Sequence, residues 1–300
     1  MAIRKRSVPF FLVLGAVLFA AHAAPGAQEK PRELALSRDY PIRPVPFTEV
    51  KVADEFWTPR LDQNRVISIP IIFLKCEQTG RIDNFAIAGG LMEGNFKGER
   101  YNDTDVYKTI EGASYSLSLH PDPALEVYLD SIIAKIAAAQ EPDGYLYTPR
   151  TASLGFVQPG TGAERWSELA VSHELYDMGH LLEAAVAHFR ATGRRALLDV
   201  AVRCANFLAA TFGPDKLHGF PGHQEVEIGL VKLYRITGDL KYLNLAKYFL
   251  DQRGRDVKLT QYPAGSRFAI YNQPEQIQAH KPVLEQDEAV GHAVRFAYMA

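Results

Sequence analysis

A repeat restricts this chain more than any other feature of its sequence. Thr192-Gly193 and Thr237-Gly238 each close one apolar-periodic segment and open another, and a shift of 45 residues lays Leu198 on Leu243, Ala201 on Ala246 and Ala205 on Leu250. Those positions share one helical face, because side chains three and four apart stand above one another on a helix. The repeating unit is a helical hairpin. A looser third copy turns at His120-Pro121-Asp122-Pro123 and continues with the face Leu125, Leu129, Ile132 and Ile136. The spacing predicts helices over 104–118, 122–139, 174–191, 195–211, 225–236 and 239–252. Stacked hairpins bury a continuous core either as an open solenoid or as a closed ring of inner and outer helices.

Outside the repeat the pattern changes. Tyr40 to Pro59 is Pro-rich, with short alternating runs such as Phe47-Thr48-Glu49-Val50-Lys51-Val52 that suit one or two strands. Arg60 to Gln78 is helical in period and interrupted by Pro70. Gly89-Gly90 to Asp103 reads as a polar loop, with Asp103-Thr104 as the cap of the next helix. About eight helices are expected from Arg60 onward, the last from Glu288 to Ala300. That last one stops within an apolar pattern and without a Gly or Pro stop signal, as expected of a reading cut from a longer protein.

The first residues read as an export signal. Arg4-Lys5-Arg6 precedes an apolar run from Phe10 to Ala20, too short to span a bilayer comfortably, and Ala21-His22-Ala23 offers the small residues that a signal peptidase accepts. Residues 1–23 are expected to be a signal peptide, 24–44 a linker and 45–300 the helical domain, with a secreted or periplasmic product. The whole chain carries a net charge of −2, and removal of the signal leaves 30 Lys and Arg against 35 Asp and Glu. An acidic body speaks against nucleic acid and against an anionic membrane as partners, since both need a basic face. Cys76 and Cys204 fall within apolar helical patterns, which favours buried free thiols over a disulfide, and neither has a metal-binding spacing.

Three Gly-His dipeptides, Gly179-His180, Gly222-His223 and Gly291-His292, read as starts of inner helices, with acids nearby at Glu225, Asp287 and Glu288. One such His caps or packs a helix end, whereas three in related places of a ring share a mouth. His173-Glu174 opens a helix soon after Arg165-Trp166-Ser167-Glu168. That mixture suits a sugar, whose C–H face packs on rings while its hydroxyls take charged planar groups; Trp166 fits a core equally well. Gln140-Glu141-Pro142-Asp143-Gly144-Tyr145 is a tight turn, leaving Tyr145 and Tyr147 as candidates for a pocket wall. Glycoside hydrolysis ordinarily uses two carboxylates at a set separation, and among 35 acidic residues spacing alone selects no pair. No Gly-x-Ser-x-Gly elbow, phosphate-binding loop or His-Glu-x-x-His is present, so esterase, nucleotide hydrolase and zincin readings lack support.

Five runs in order resemble glycoside hydrolase family 127, the β-L-arabinofuranosidase-like enzymes, over about Val45 to Ala300. They are Asp103 to Lys108, Gln140 to Leu146, Ser172 to Tyr176 with Gly179-His180, Pro221 to Glu227, and Glu288 to Arg295. The resemblance implies an all-α (α/α)6 barrel, incomplete in this chain, and hydrolysis of L-arabinofuranosyl or related plant-polysaccharide side chains. It makes His173, His223 and His292 the substrate-binding histidines, with Glu174, His180 and Glu225 as pocket neighbours. It also implies a zinc-bound cysteine thiolate as nucleophile and a glutamate as acid/base. The Glu-x-Cys, paired-Cys and Gly-rich acidic motifs that carry them do not occur here. No catalytic residue and no metal ligand is therefore assigned in this chain, and zinc is expected in the complete protein only. Two rivals remain: a uronyl hydrolase or polysaccharide lyase on the same barrel, which calls for an Arg/Lys-lined mouth, and a non-enzymatic helical-repeat carbohydrate-binding protein, which should end in a polar capping helix.

Overall fold

A computed structural model of the chain describes residues 44–300 except 154 and 256–259. The expected signal peptide and nearly all of the linker lie outside the described residues. Among those described, eleven α-helices follow one another: α1 (Trp57–Gln63), α2 (Ile69–Gln78), α3 (Arg81–Ala88), α4 (Asp103–Leu119), α5 (Pro123–Ala139), α6 (Thr148–Thr151), α7 (Glu174–Thr192), α8 (Ala196–Thr211), α9 (Val226–Thr237), α10 (Leu240–Gln252) and α11 (Ala293–Met299). The six helices read from the repeat form within a residue or so of their expected ends. Their termini are set locally. Gly193 and Gly238 take left-handed φ values of 75° and 73° and donate to Phe189 O and Tyr234 O, closing α7 and α9. Asp122 accepts from the amides of Ala124 and Leu125, and Asp239 from that of Lys241, capping α5 and α10 at about 1 kcal/mol each.

The helices pack in two rows. α4, α7 and α9 lie side by side, α5, α8 and α10 form the second row, and α7–α8 and α9–α10 close as hairpins; α2 extends the first row against α4, and α3 the second against α5. The 45-residue register survives in the packing. Leu197, Val200, Ala201 and Cys204 of α8 are buried, and so are Tyr242, Leu245, Ala246 and Phe249 of α10, the positions 45 residues on. This face is centred one residue ahead of the expected one, so Leu243 and Leu250 are only half-buried. α7 lies at the centre, and every residue from Glu174 to His188 is buried.

Four expectations change. No strand forms among the described residues; Phe47–Glu49 is a single 3-10 turn, and the alternating run finds no second run to pair its backbone groups with. Pro70 does not end its segment: the backbone stays right-handed helical from Trp57 to Gln78, with Pro70 early in α2. A wide π turn, Asn64–Ser68, precedes it and leaves room for its ring. Asp103 is not a cap: it lies inside α4 and accepts from Thr148 N and Oγ1, tying α6 to α4. The last helix begins at Ala293 rather than Glu288, because Gly291 turns the chain at φ 71° against Glu275 O, where a Cβ would come within 1.9 Å. No helix of the described residues is long and apolar enough to cross a membrane.

Candidate active site

Each Gly-His pair works as a unit in which the glycine permits a close approach. A Cβ on Gly179 would lie 2.7 Å from Val226 N and 2.8 Å from Glu225 Cγ, and one on Gly222 would lie 2.4 Å from Ala170 O. These contacts press the start of α9 onto α7 and the His223 turn onto the chain entering α7. Gly179-His180 falls in the second turn of α7, not at a helix start, whereas the other two pairs do precede helices.

The three expected histidines converge. The ring centroids of His173 and His223 are 4.8 Å apart and those of His223 and His292 are 5.8 Å apart. Tyr176 stands 4.5 Å from His223 and 4.7 Å from His180, Tyr298 closes on His180 at 6.0 Å, and Tyr101 faces His173 at 5.3 Å. Burial, followed by the nearby Arg100 and Arg295 guanidinium groups, holds His173 well below the ordinary imidazole range. Burial and Arg295 do the same for His223, and His292 is lowered by the same two causes. The rings are therefore uncharged at neutral pH. His173 sits at the entry to α7 with φ 67°, a left-handed backbone that costs a non-glycine residue about 1–2 kcal/mol, and its Nδ1 donates to Val171 O at 2.7 Å.

Beneath these rings lies a buried polar layer. His180 Nδ1 is 3.0 Å from Glu225 Oε1 and 3.6 Å from Glu183 Oε2, while its Nε2 meets Tyr298 Oη at 3.4 Å. Lys232 pairs with Glu183, and Lys108 donates to Tyr176 Oη at 2.7 Å. Burial pushes His180 down to about 2, and burial together with the nearby Glu183 carboxylate raises Glu225 far above the usual carboxyl range. Asp177, on the same helix, is fully buried with both carboxylate oxygens unpartnered, and burial raises it well above its ordinary value.

Other sequence candidates go elsewhere. The Glu174 carboxylate is taken up by Tyr145 Oη at 2.6 Å, the Trp166 amide at 3.2 Å and the Arg150 guanidinium at 3.9 Å, so it braces the turn before α7 instead of joining the histidine rings. Arg165 pairs with Glu141 at 2.5 Å and Asp143 at 2.6 Å across the 140–145 turn, and Trp166 packs on Tyr145, Phe207 and Phe212. Tyr145 and Tyr147 are fully buried, the latter donating to Ser172 O. The expected sugar-binding mixture is thus a structural brace. Asp287 is exposed and paired with Lys281. Tyr176, Glu183, Arg295 and Tyr298 are site residues that the sequence reading misses.

His180, Glu183 and Glu225 each bring a ligand atom within 4.8 Å of the others, and this buried trio can hold a metal ion. It offers one nitrogen and two oxygens and no sulfur, and Lys232 already neutralises Glu183. Cys76 and Cys204 are free and buried in helix packing, their thiols pushed up to about 11 and about 12, chiefly by burial. The described residues do not fit the thiolate zinc centre that the sequence resemblance implies, and no step is assigned through one.

Paired rows of helices around a cluster of histidine and tyrosine rings make a helical domain, and its match to glycoside hydrolase catalytic domains gives the class. Residues 49–300 match the GH127 catalytic domain of β-L-arabinofuranosidases, and the chain belongs to that family. It is 41% identical over 229 residues to the non-reducing end β-L-arabinofuranosidase of Bifidobacterium longum subsp. longum, covering 73% of this chain and 34% of that enzyme. A solved GH127 β-arabinofuranosidase superposes with a TM-score of 0.77 at 50% identity, covering 87% of this chain and 39% of its own. Ara127N-Se, a GH127 β-L-arabinofuranosidase from Geobacillus stearothermophilus T6, gives 0.75 at 38% identity, with 83% and 40% covered. The chain spans about a third of the curated relative's length. Family membership displaces the uronyl hydrolase, lyase and repeat-protein readings.

Proposed function

We propose that this chain carries the sugar-holding part of a β-L-arabinofuranosidase-like glycoside hydrolase, acting on L-arabinofuranosyl or related plant-polysaccharide side chains. The observation that carries the reading is the convergence of His173, His223 and His292 as uncharged rings. A neutral imidazole both donates and accepts, which suits hydroxyl groups, and Tyr176 beside His223 adds an aromatic face. His180, paired with Glu225, packs on Tyr176 behind the cluster. The thiolate nucleophile that the sequence resemblance implies has no counterpart in this sequence, so the 300-residue chain alone should lack turnover. The names of the relatives supply the sugar. The test is hydrolysis of an aryl β-L-arabinofuranoside by the chain beside a version extended with the remainder of a relative's catalytic domain. Equal turnover by both would overturn the assignment of the nucleophile, and an inactive extended version would overturn the substrate. Export is proposed on the basic-apolar start, with cleavage after Ala23; an intact amino terminus on the secreted product would refute it.

A further inference from the structure

We propose that Arg295 is a positioning residue that fixes the tautomers of His223 and His292 and ties the His173 turn to both, a role that deepens the sugar-holding reading and rests on it for its purpose. Arg295 is fully buried in the first turn of α11, with its guanidinium over the Tyr271 ring at 4.8 Å. Three contacts leave this one residue. Its Nε donates to His223 Nε2 at 3.4 Å, its backbone N–H to His292 Nδ1 at 3.4 Å, and its Nη2 to Ala170 O at 3.1 Å. The last contact holds the residue before Val171, whose carbonyl takes the proton of His173 Nδ1.

Donor chemistry then assigns each proton. A guanidinium and a backbone N–H only donate, so the nitrogen each one faces presents its lone pair and the ring proton lies on the other nitrogen. A carbonyl only accepts, so His173 carries its proton on Nδ1. The remaining positions are an N–H on His223 Nδ1, an N–H on His292 Nε2 and a bare nitrogen on His173 Nε2. Two donors and one acceptor in fixed orientation make a pattern for a polyol: two hydroxyl oxygens accept and one hydroxyl donates. Lysine at 295 keeps the backbone donor to His292 but, a point charge without a planar fork, cannot hold His223 Nε2 and Ala170 O together.

Two-bond proton–nitrogen NMR of the chain labelled at histidine reads tautomers without any assay of activity. The expected result is a protonated Nδ1 on His173 and His223 and a protonated Nε2 on His292. A proton on His223 Nε2 at neutral pH overturns the proposal in the wild-type chain, whether or not any variant folds. Arg295→Met and Arg295→Lys should both release His223 into a mixture of tautomers, and an unchanged His223 signal in either folded variant also overturns it. In the extended enzyme both should raise KM roughly ten- to hundredfold with a smaller change in kcat. Should the tautomers come out as assigned while saturating L-arabinose moves no histidine signal, the substrate reading fails and the role of Arg295 stands.

Discussion

α7 and α8 are neighbours joined across one left-handed glycine, yet only α7 buries carboxyl and imidazole side chains. α8 hides an apolar stripe, Leu197, Leu198, Val200, Ala201, Cys204, Ala205 and Leu208. α7 is buried on all sides and takes Glu174, Asp177, His180, Glu183 and His188 in with it. Burying an ionisable group without full pairing costs several kcal/mol, a cost that α7 meets with its own apolar burial of Leu175, Met178, Leu181, Leu182 and Val186. Both rows supply apolar burial, and the first row also takes in groups whose protonation states the interior dictates. The buried carboxyl and imidazole groups are thereby confined to one member of the hairpin.

Three substitutions press on that division. Leu208→Ala, in the fully buried stripe of α8, should cost about 2–5 kcal/mol by leaving a cavity, read as a lower urea midpoint, while the histidine tautomers stay as they are. A shift of the tautomers would show that the rows are not separable. Gly179→Ala should cost about 1–3 kcal/mol, because its new Cβ meets backbone at the α7–α9 crossing, and unlike the first change it should move the His180 signal by displacing Glu225. The smallest effect belongs to Asp177→Asn and depends on pH. Asp177 has a raised folded pKa, with Asp103, Asp105, Lys108 and Arg100 around it. Its stabilising contribution is whole below the unfolded carboxyl pKa and is lost as pH rises toward the folded value. Asparagine cannot ionise, so the variant should gain on wild type by roughly 1 kcal/mol over the first pH unit above the unfolded carboxyl pKa of about 3.9. A gap constant with pH would mean that Asp177 titrates normally.

How far the molecule is legible from its sequence follows the same line. Helix ends are local statements, and Gly193, Gly238, Asp122 and Asp239 announce them without help from distant residues. The three converging histidines are legible through their motifs. Arg165 and Trp166 mislead because their partners, Glu141, Asp143 and Phe207, are 22 or more residues away in sequence, and composition alone cannot tell a brace from a sugar platform. Glu183 does leave a signal, three residues from His180 and so on the same face. Arg295 leaves a weaker one, a lone cation in an apolar stretch directly after a Gly-His pair.

His173 combines an imidazole with a left-handed backbone, and that pairing changes how it has to be probed. Replacement by alanine would remove the ring and at the same time place a residue with no side-chain hydrogen bond in a strained turn, so a loss of binding would mix two causes. Glycine or asparagine tolerates φ near 67°, and Asn keeps a polar side chain for local bonding, so these two variants separate the ring from the turn. A valine would ask the reverse question, since its branched side chain resists this conformation whatever the pocket contains. Position 173 is thus a place where the substituent chosen decides which property of the residue an experiment measures.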